Sequence, residues 1–464
     1  MATPAANSLR YNFLPSLLPA LPPNLDGEVA FVVNGSDTGT MITLGTPFTT
    51  TSLQDFVDLG IEYSETADNA ALPEYGNNNL ILQAKAFYDL AGEGARAHWL
   101  VLSSGPNGPN LSTRTNSFTS IFGGTQSTNL MAALARQAQY QIRILGVSFS
   151  RRQANMIVDP DDSSMTIVNT NEYRLAPAVT GTSFAGGLSK ANITTIEENA
   201  AYWEEMGMPF LAVVGADGVD GAPPIEFSTA TNRRTSVLVG GISQRRLVAS
   251  GITNGADYDA LDNAARVRFR TKAPVGLCLG SLYRRAVQES LVKVNLGPIP
   301  ILDESEAYVR GDLVRELSPT DATELNDGRF IYLRAYPANS GVFWATDSLA
   351  GTTDTAYEVD TQQRRSVAKA AFSANGFLTN ILGNDFELDN RGYLSNTEAE
   401  TIEMSLNDRL GATLVETGNL SDITARLIND QPFEPNRRIR LNLSIIPRGV
   451  LKTISVEIGR FIST

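Results

Sequence analysis

Ser183 lies in Gly181-Thr182-Ser183-Phe184-Ala185, a small-residue setting from which a serine could be presented as a nucleophile. A serine of that kind needs a histidine base that an aspartate orients. The chain has one histidine, His98, beside Trp99 at the head of an apolar run, where a strand-end role is expected. The Gly-Thr-Ser match is therefore read as chance, and no catalytic residue is assigned. His98 alone cannot build a zinc site, and the single cysteine, Cys278, is flanked by Leu277 and Leu279 as a core thiol would be. Asp159-Pro160-Asp161-Asp162 and Asp217 to Asp220 lack the alternating ligands and closing glutamate of a calcium loop and read as solvated turns. No phosphate-cradling glycine loop follows a strand, so no cofactor is expected. Glu197-Glu198 and Glu204-Glu205 fall on one helical pattern and read as its solvated face. A paired-carboxylate acid and base is defined only by its separation in three dimensions and stays open at this point.

The elements that would position such groups belong to a chain of 464 residues, long enough for about three domains. Its 50 acids against 37 bases give a net charge of −13, the wrong sign for a nucleic-acid partner. No apolar run is long enough to span a bilayer and no secretory leader is evident, so direct membrane insertion is not expected and folding is assigned to a bacterial cytoplasm. The bases comprise 31 Arg and 6 Lys, with doublets such as Arg233-Arg234, Arg364-Arg365 and Arg437-Arg438. Arginine's planar fork suits interface carboxylates, which leans toward extensive subunit contacts.

Four segments follow along the chain. Residues 1–26 read as an extended N-terminal arm. Five prolines forbid a long helix there, while Leu9, Tyr11, Phe13, Leu14 and Leu17 are too apolar for a solvated linker and need a surface to lie on. Residues 27–300 read as an α/β domain. Strand patterns at 28–33, 99–102, 141–147, 210–214 and 236–240 alternate with helix patterns at 52–59, 78–90, 129–137, 193–206, 260–270 and 281–293. A polar or β-rich insertion interrupts this domain near 148–190. Residues 301–449 read as a second α/β domain. Its strand pattern at 330–335 precedes a Gly- and Thr-rich turn region at 339–355, and a helix from Gln362 carries Val367, Ala371, Ala374, Leu378 and Ile381 on one face. A second helix, 397–415, carries Ile402, Leu406, Leu410 and Leu414, and a strand follows at 439–445. Residues 450–464 read as a C-terminal arm strand, with Ile454, Val456 and Ile458 on one face and Phe461 beyond them. That strand can pair with 439–445 as a hairpin across Pro447 to Gly449, or it can join another subunit.

Charge divides the C-terminal region. Residues 396–431 hold seven acids and two bases, net −5, and residues 437–464 hold six bases and one acid, net +5. Glu398, Glu400 and Glu403 are accordingly expected to meet Arg437, Arg438 and Arg440 of a neighbouring subunit.

The segments Gly328-Arg329-Phe330-Ile331-Tyr332-Leu333-Arg334-Ala335-Tyr336 and Ser340-Gly341-Val342-Phe343-Trp344-Ala345-Thr346-Asp347 resemble contractile tail-sheath proteins of phages and bacterial injection systems, in particular the branch of Bacteroidetes-type bacteria. Arg364-Arg365-Ser366-Val367-Ala368-Lys369, Asn390-Arg391-Gly392-Tyr393-Leu394 and Ile445-Ile446-Pro447 continue the pattern over residues 300–464. The resemblance implies a multi-domain α/β sheath-like core with extended arms, and a subunit that stacks on itself in a six-fold helical sheath around an inner tube protein. Baseplate and terminal cap proteins are implied partners, with contraction powered by rearranged subunit contacts. The arms would then donate strands to neighbours by β-augmentation. Two other readings are a baseplate or capsid component, which would share the arms, and a hydrolase with an unrecognised pocket.

Overall fold

The computed structural model describes residues 28–35, 40–61, 78–103, 120–148, 156–158, 166–168, 190–216, 232–242, 274–304, 307–309, 312–336, 339–351, 359–381, 383–430, 433 and 440–449. In chain order these form β1 (Glu28–Gly35), β2 (Phe48–Thr50), α1 (Gln54–Asp58), α2 (Asn78–Ala91), β3 (Ala97–Ser103), α3 (Leu130–Gln137), β4 (Ile142–Ser148), β5 (Met156–Val158), β6 (Thr166–Val168) and α4 (Lys190–Glu205). They continue with β7 (Leu211–Ala216), β8 (Thr235–Val239), β9 (Gly241–Ile242), α5 (Val275–Arg284), β10 (Ala307–Val309), β11 (Asp312–Leu313), α6 (Pro319–Asp327), β12 (Phe330–Ile331), β13 (Leu333–Tyr336) and β14 (Asn339–Trp344). The last elements are α7 (Thr361–Leu378), α8 (Asn396–Leu410), β15 (Leu420–Ile428) and β16 (Arg440–Pro447).

Continuous apolar runs such as that of β1, buried along its whole length, cannot face water on either side and so occupy the middle of a covered parallel sheet. Among the described residues the sheet has seven strands in the order β12-β8-β7-β4-β1-β3-β2, parallel throughout except for the antiparallel edge strand β2. Phe31 of β1 stacks on Trp99 of β3 at 4.1 Å between ring centroids, and Phe56 meets the edge of the same indole.

Helix α5 packs on β4 and β7 and lies against α2. Glycines set that approach. The amide of Gly276 donates to Gln83 Oε1 at 2.6 Å, and a Cβ on Gly276 would come within 2.1 Å of the Gln83 carbonyl oxygen. This helix corrects the pattern read at 281–293: the turn Ser281 to Arg284 ends α5, and the following residues are turns and a short 3-10 segment. Gly276 and Gly280 lower helix propensity and so conceal a helix that tight packing stabilises. Cys278 is buried in α5, and burial pushes its thiol up to about 12.

The expected strand at 330–335 is two strands. Phe330–Ile331 joins the edge of the large sheet, Tyr332 gives its carbonyl to Ala345 N–H, and Leu333 onward pairs antiparallel with β14. The turn region expected at 339–355 thus begins with a strand, whose first two residues are exposed while Val342, Phe343 and Trp344 are buried. In the 148–190 segment, β5 and β6 form an antiparallel pair. The helix expected at 260–270 lies outside the described residues.

A first apolar cluster runs from Val29 to Ala350, and a second gathers Ala370, Ala374 and Leu378 of α7 with Leu406, Leu410, Leu414, Leu420, Ile423 and Ala425. The first cluster runs on past residue 300, because β12 belongs to the large sheet. The face expected on α8 is buried as read, with Ile402, Leu406 and Leu410 inside, and a π turn over Gly411–Val415 keeps Leu414 on it. On α7 the expected stripe is buried at Ala374 and Leu378, with Ile381 packed on the second core, but not in its first half. Val367 and Ala371 are half-buried, whereas Arg364 and Arg365 are buried. Strand β16 forms a two-stranded antiparallel sheet with β15, a strand whose alternation a register shift between Leu420 and Asp422 obscures.

Candidate assembly interface

Helix α7 starts against the first core and ends in the second, and its arginine doublet makes the joint. Arg364 is 1% exposed, and its guanidinium reaches Glu204 Oε1 at 2.9 Å at the end of α4. Glu204 also binds Arg234, and Arg234 reaches Glu197 at 2.9 Å. Glu197 further accepts the backbone N–H groups of Arg233 and Arg234 and the hydroxyl of Thr235, each at 2.9 Å. Burial raises the Glu204 carboxyl, but the two guanidinium groups outweigh it and hold the group below its ordinary value, so it stays ionised. Arg365 donates to the carbonyls of Arg285 and Ala286 at 2.9 and 3.4 Å, a cation at the C-terminal end of α5 where unpaired carbonyls accumulate. Arg143 of β4 lies over the ring of Phe372 from α7, and burial drops its guanidinium well below the ordinary value.

The second core presents the hairpin. In β15 the side chains of Ile423 and Ala425 join Leu406 and Leu410 of α8 in the second cluster, and Ile423, Ala425 and Leu427 lie opposite Ile445, Leu443 and Leu441 of β16. Leu441, Leu443 and Ile445 are only half-buried, and Ile428 and Ile446 are 40% and 55% exposed. Asn407 of α8 accepts from Ala425 N–H at 2.7 Å and donates to Ala425 C=O at 3.0 Å, and Glu403 accepts from Leu427 N–H.

The charged residues expected to meet across subunits are therefore partly engaged within one. Glu403 binds the backbone of β15, and Arg440 pairs with Asp430. Glu398 is half-buried in the first turn of α8, where Ser395 caps the helix, and Glu400 is exposed. Arg437 and Arg438 lie outside the described residues, as do the arm residues Leu9, Tyr11, Phe13, Leu14, Leu17, Ile454, Val456, Ile458 and Phe461. Ser183 and the two acidic turns lie outside them as well. His98 is buried in β3 with Nε2 2.6 Å from Glu28 Oε2 and Nδ1 2.9 Å from Thr49 Oγ1, a satisfied core position. Among the described residues no three His, Cys, Asp or Glu side chains gather as a metal site. Glu197 and Glu204, read from sequence as a solvated face, are instead the anchors of the joint. Arg234, Arg364 and Arg365 belong to doublets read from sequence as leaning toward subunit contacts, yet they bind within the chain; Glu204 and Arg364 are 160 positions apart and nothing local pairs them.

The profile of the DUF2586 N-terminal domain matches residues 10–348. The chain belongs to the DUF2586 family. The match ends two residues before Ala350, the last member of the first apolar cluster of this DUF2586 chain. No curated protein matches it. Among solved structures, the helical sheath of the anti-feeding prophage in its contracted state matches with a TM-score of 0.53 and 10% identity, over 99% of this chain and 97% of that one. The contracted sheath complex of PVC, an extracellular contractile injection system, matches with a TM-score of 0.54 and 10% identity over 100% and 96%. A chain of the six-fold symmetrised baseplate of the anti-feeding prophage matches at 0.54 and 11% over 95% and 94%. The DUF2586 chain thus has the multi-domain α/β fold of contractile-sheath structures.

Proposed function

We propose that the chain is a structural subunit of a contractile tail sheath, polymerising around an inner tube and contracting to drive that tube through a target envelope. The observation that carries the reading is the fold match to two contracted sheaths over nearly the whole of both chains. A subunit of this kind does mechanical work through subunit contacts and needs no catalytic centre. The described residues support that role with a charged joint and a hairpin whose apolar face is half covered. The working division is an N-terminal arm over 1–26, an α/β unit through about residue 350, a C-terminal unit built on α7, α8 and the hairpin, and an arm strand over 450–464. Self-assembly takes place in the bacterial cytoplasm, on a phage-like or injection particle with a baseplate and a terminal cap. Among the described residues no helix is long and apolar enough to cross a membrane.

The arms are assembly elements in this reading, and the exposed acids of α8, Glu400 foremost, face Arg437 and Arg438 of a neighbour. Deleting residues 1–20 or 450–464 is expected to leave a folded, soluble chain that no longer polymerises, with circular dichroism near that of the full chain and only small species in sedimentation. Polymer yield of the full chain falls as salt rises and falls again in Arg438→Glu, since partly exposed charge pairs are screened. A truncated chain that still polymerises contradicts the assignment of the arms.

A further inference from the structure

Helix α7 carries two contact faces of different chemistry. Arg364, Ala368 and Phe372 recur every four residues, and positions four apart stand above one another on a helix. Arg364 meets Glu204 of α4 and Phe372 lies under the guanidinium of Arg143, so both touch the α/β unit, and Ala368, 3% exposed, is enclosed between them. Arg365 adds its bonds to the carbonyls at the end of α5. Ala370, Ala374 and Leu378 form the other stripe, buried in the second core with Leu406, Leu410 and Leu414. One face is charged and the other apolar.

The two attachments respond differently to a change of charge. Apolar burial holds whatever the ionisation around it, whereas a cation taken out of water must recover its desolvation cost from its partners. On the charged face that recovery passes through few groups. Arg364 and Arg234 share Glu204, and Arg234 also reaches Glu197. Arg143 is 8% exposed and, among the described residues, gives its hydrogen bond to the carbonyl of Ile142 at 3.2 Å, while the Glu28 carboxylate is already engaged by His98 and Arg96. The start of the helix is tied down separately through backbone. Thr361 N–H donates to Asp347 C=O at 2.8 Å, and Leu349 N–H donates to Val359 C=O at 2.9 Å. We infer a charge latch: α7 belongs to the second core, and the carboxylate of Glu204 holds it against the α/β unit, so that loss of this charge lets the helix and the core behind it swing away about residues 359–361 while both cores stay folded. The latch is a property of the single chain and does not depend on the sheath reading.

Peptide-resolved thiol labelling of the full chain at neutral pH tests the latch. Ala368→Cys places a reporter on the charged face, Ala374→Cys places one on the apolar face, and the native Cys278, buried in α5, reports the α/β core in the same chain. In Glu204→Gln the reporter at 368 is expected to react about tenfold faster or more, with those at 374 and 278 unchanged. Adding Arg364→Met removes the stranded cation and returns 368 to slow reaction. In chains that keep Glu204, rising urea exposes 368 before 374 and 278, a reading that does not require Glu204→Gln to fold. A rate at 368 that Glu204→Gln leaves unmoved overturns the latch. A rate that stays fast after Arg364→Met is added assigns the opening to lost packing and overturns it as well. Rates that rise together at all three positions, in Glu204→Gln or in urea, overturn the separate attachment and make α7 part of one cooperative fold.

Discussion

Replacing Gly276 with alanine is expected to lower the stability of the α/β unit by about 3 kcal/mol or more, at the upper end of overpacking effects. The added methyl would sit 2.1 Å from the Gln83 carbonyl oxygen and 2.8 Å from its carbon. Both atoms are backbone of α2, so no rotamer change removes the clash. The helices must separate, and separation weakens the Gly276 N–H to Gln83 bond and the contact one turn on, where a Cβ on Gly280 would approach Leu90 Cβ and Phe87 O at 2.9 Å. Gly376 on α7 is the control. A Cβ there meets nothing within 4 Å, so Gly376→Ala is expected to be neutral or stabilising by up to about 1 kcal/mol. Denaturant midpoints at constant slope measure both. Equal effects at the two glycines contradict the packing account.

Removing Arg364 is the second large effect. Arg364→Ala is expected to cost about 3 kcal/mol, near the low end for breaking a buried ion pair, because Glu204 keeps Arg234 as a partner. The loss leaves a carboxylate in a site that burial alone would push toward protonation. Arg364→Met with Glu204→Gln removes both charges and is expected to cost clearly less than the two single changes added together, a coupling that a double-mutant cycle reads directly. A single Arg364→Ala variant within about 0.5 kcal/mol of the parent would place the joint among ordinary surface contacts.

These two sites mark where the sequence was readable and where it was not. The parallel sheet was legible because β1, β3, β4, β7 and β8 are apolar runs bounded by polar turns, which is what burial on both faces selects. Helix α8 was legible because Ile402, Leu406, Leu410 and Leu414 keep one register. Helix α5 was misplaced because the glycines that permit its close approach to α2 are poor helix formers, so packing overrides propensity there. Strand β14 was hidden by its exposed Asn339 and Ser340, and β15 by the irregularity between Leu420 and Asp422. The arginine doublets were visible as residues, but their partners are fixed only by tertiary approach. Glu403 was singled out for its charge, whereas its partner, the N–H of Leu427, is a backbone group that leaves no mark in the sequence.

Electron microscopy of the purified full-length chain tests the central claim most directly. A sheath subunit of this fold is expected to form hollow tubes with a regular helical repeat and six-fold symmetry, alone or on addition of an inner tube. Monodisperse monomers under every such condition, or closed shells or flat lattices in place of tubes, would contradict it.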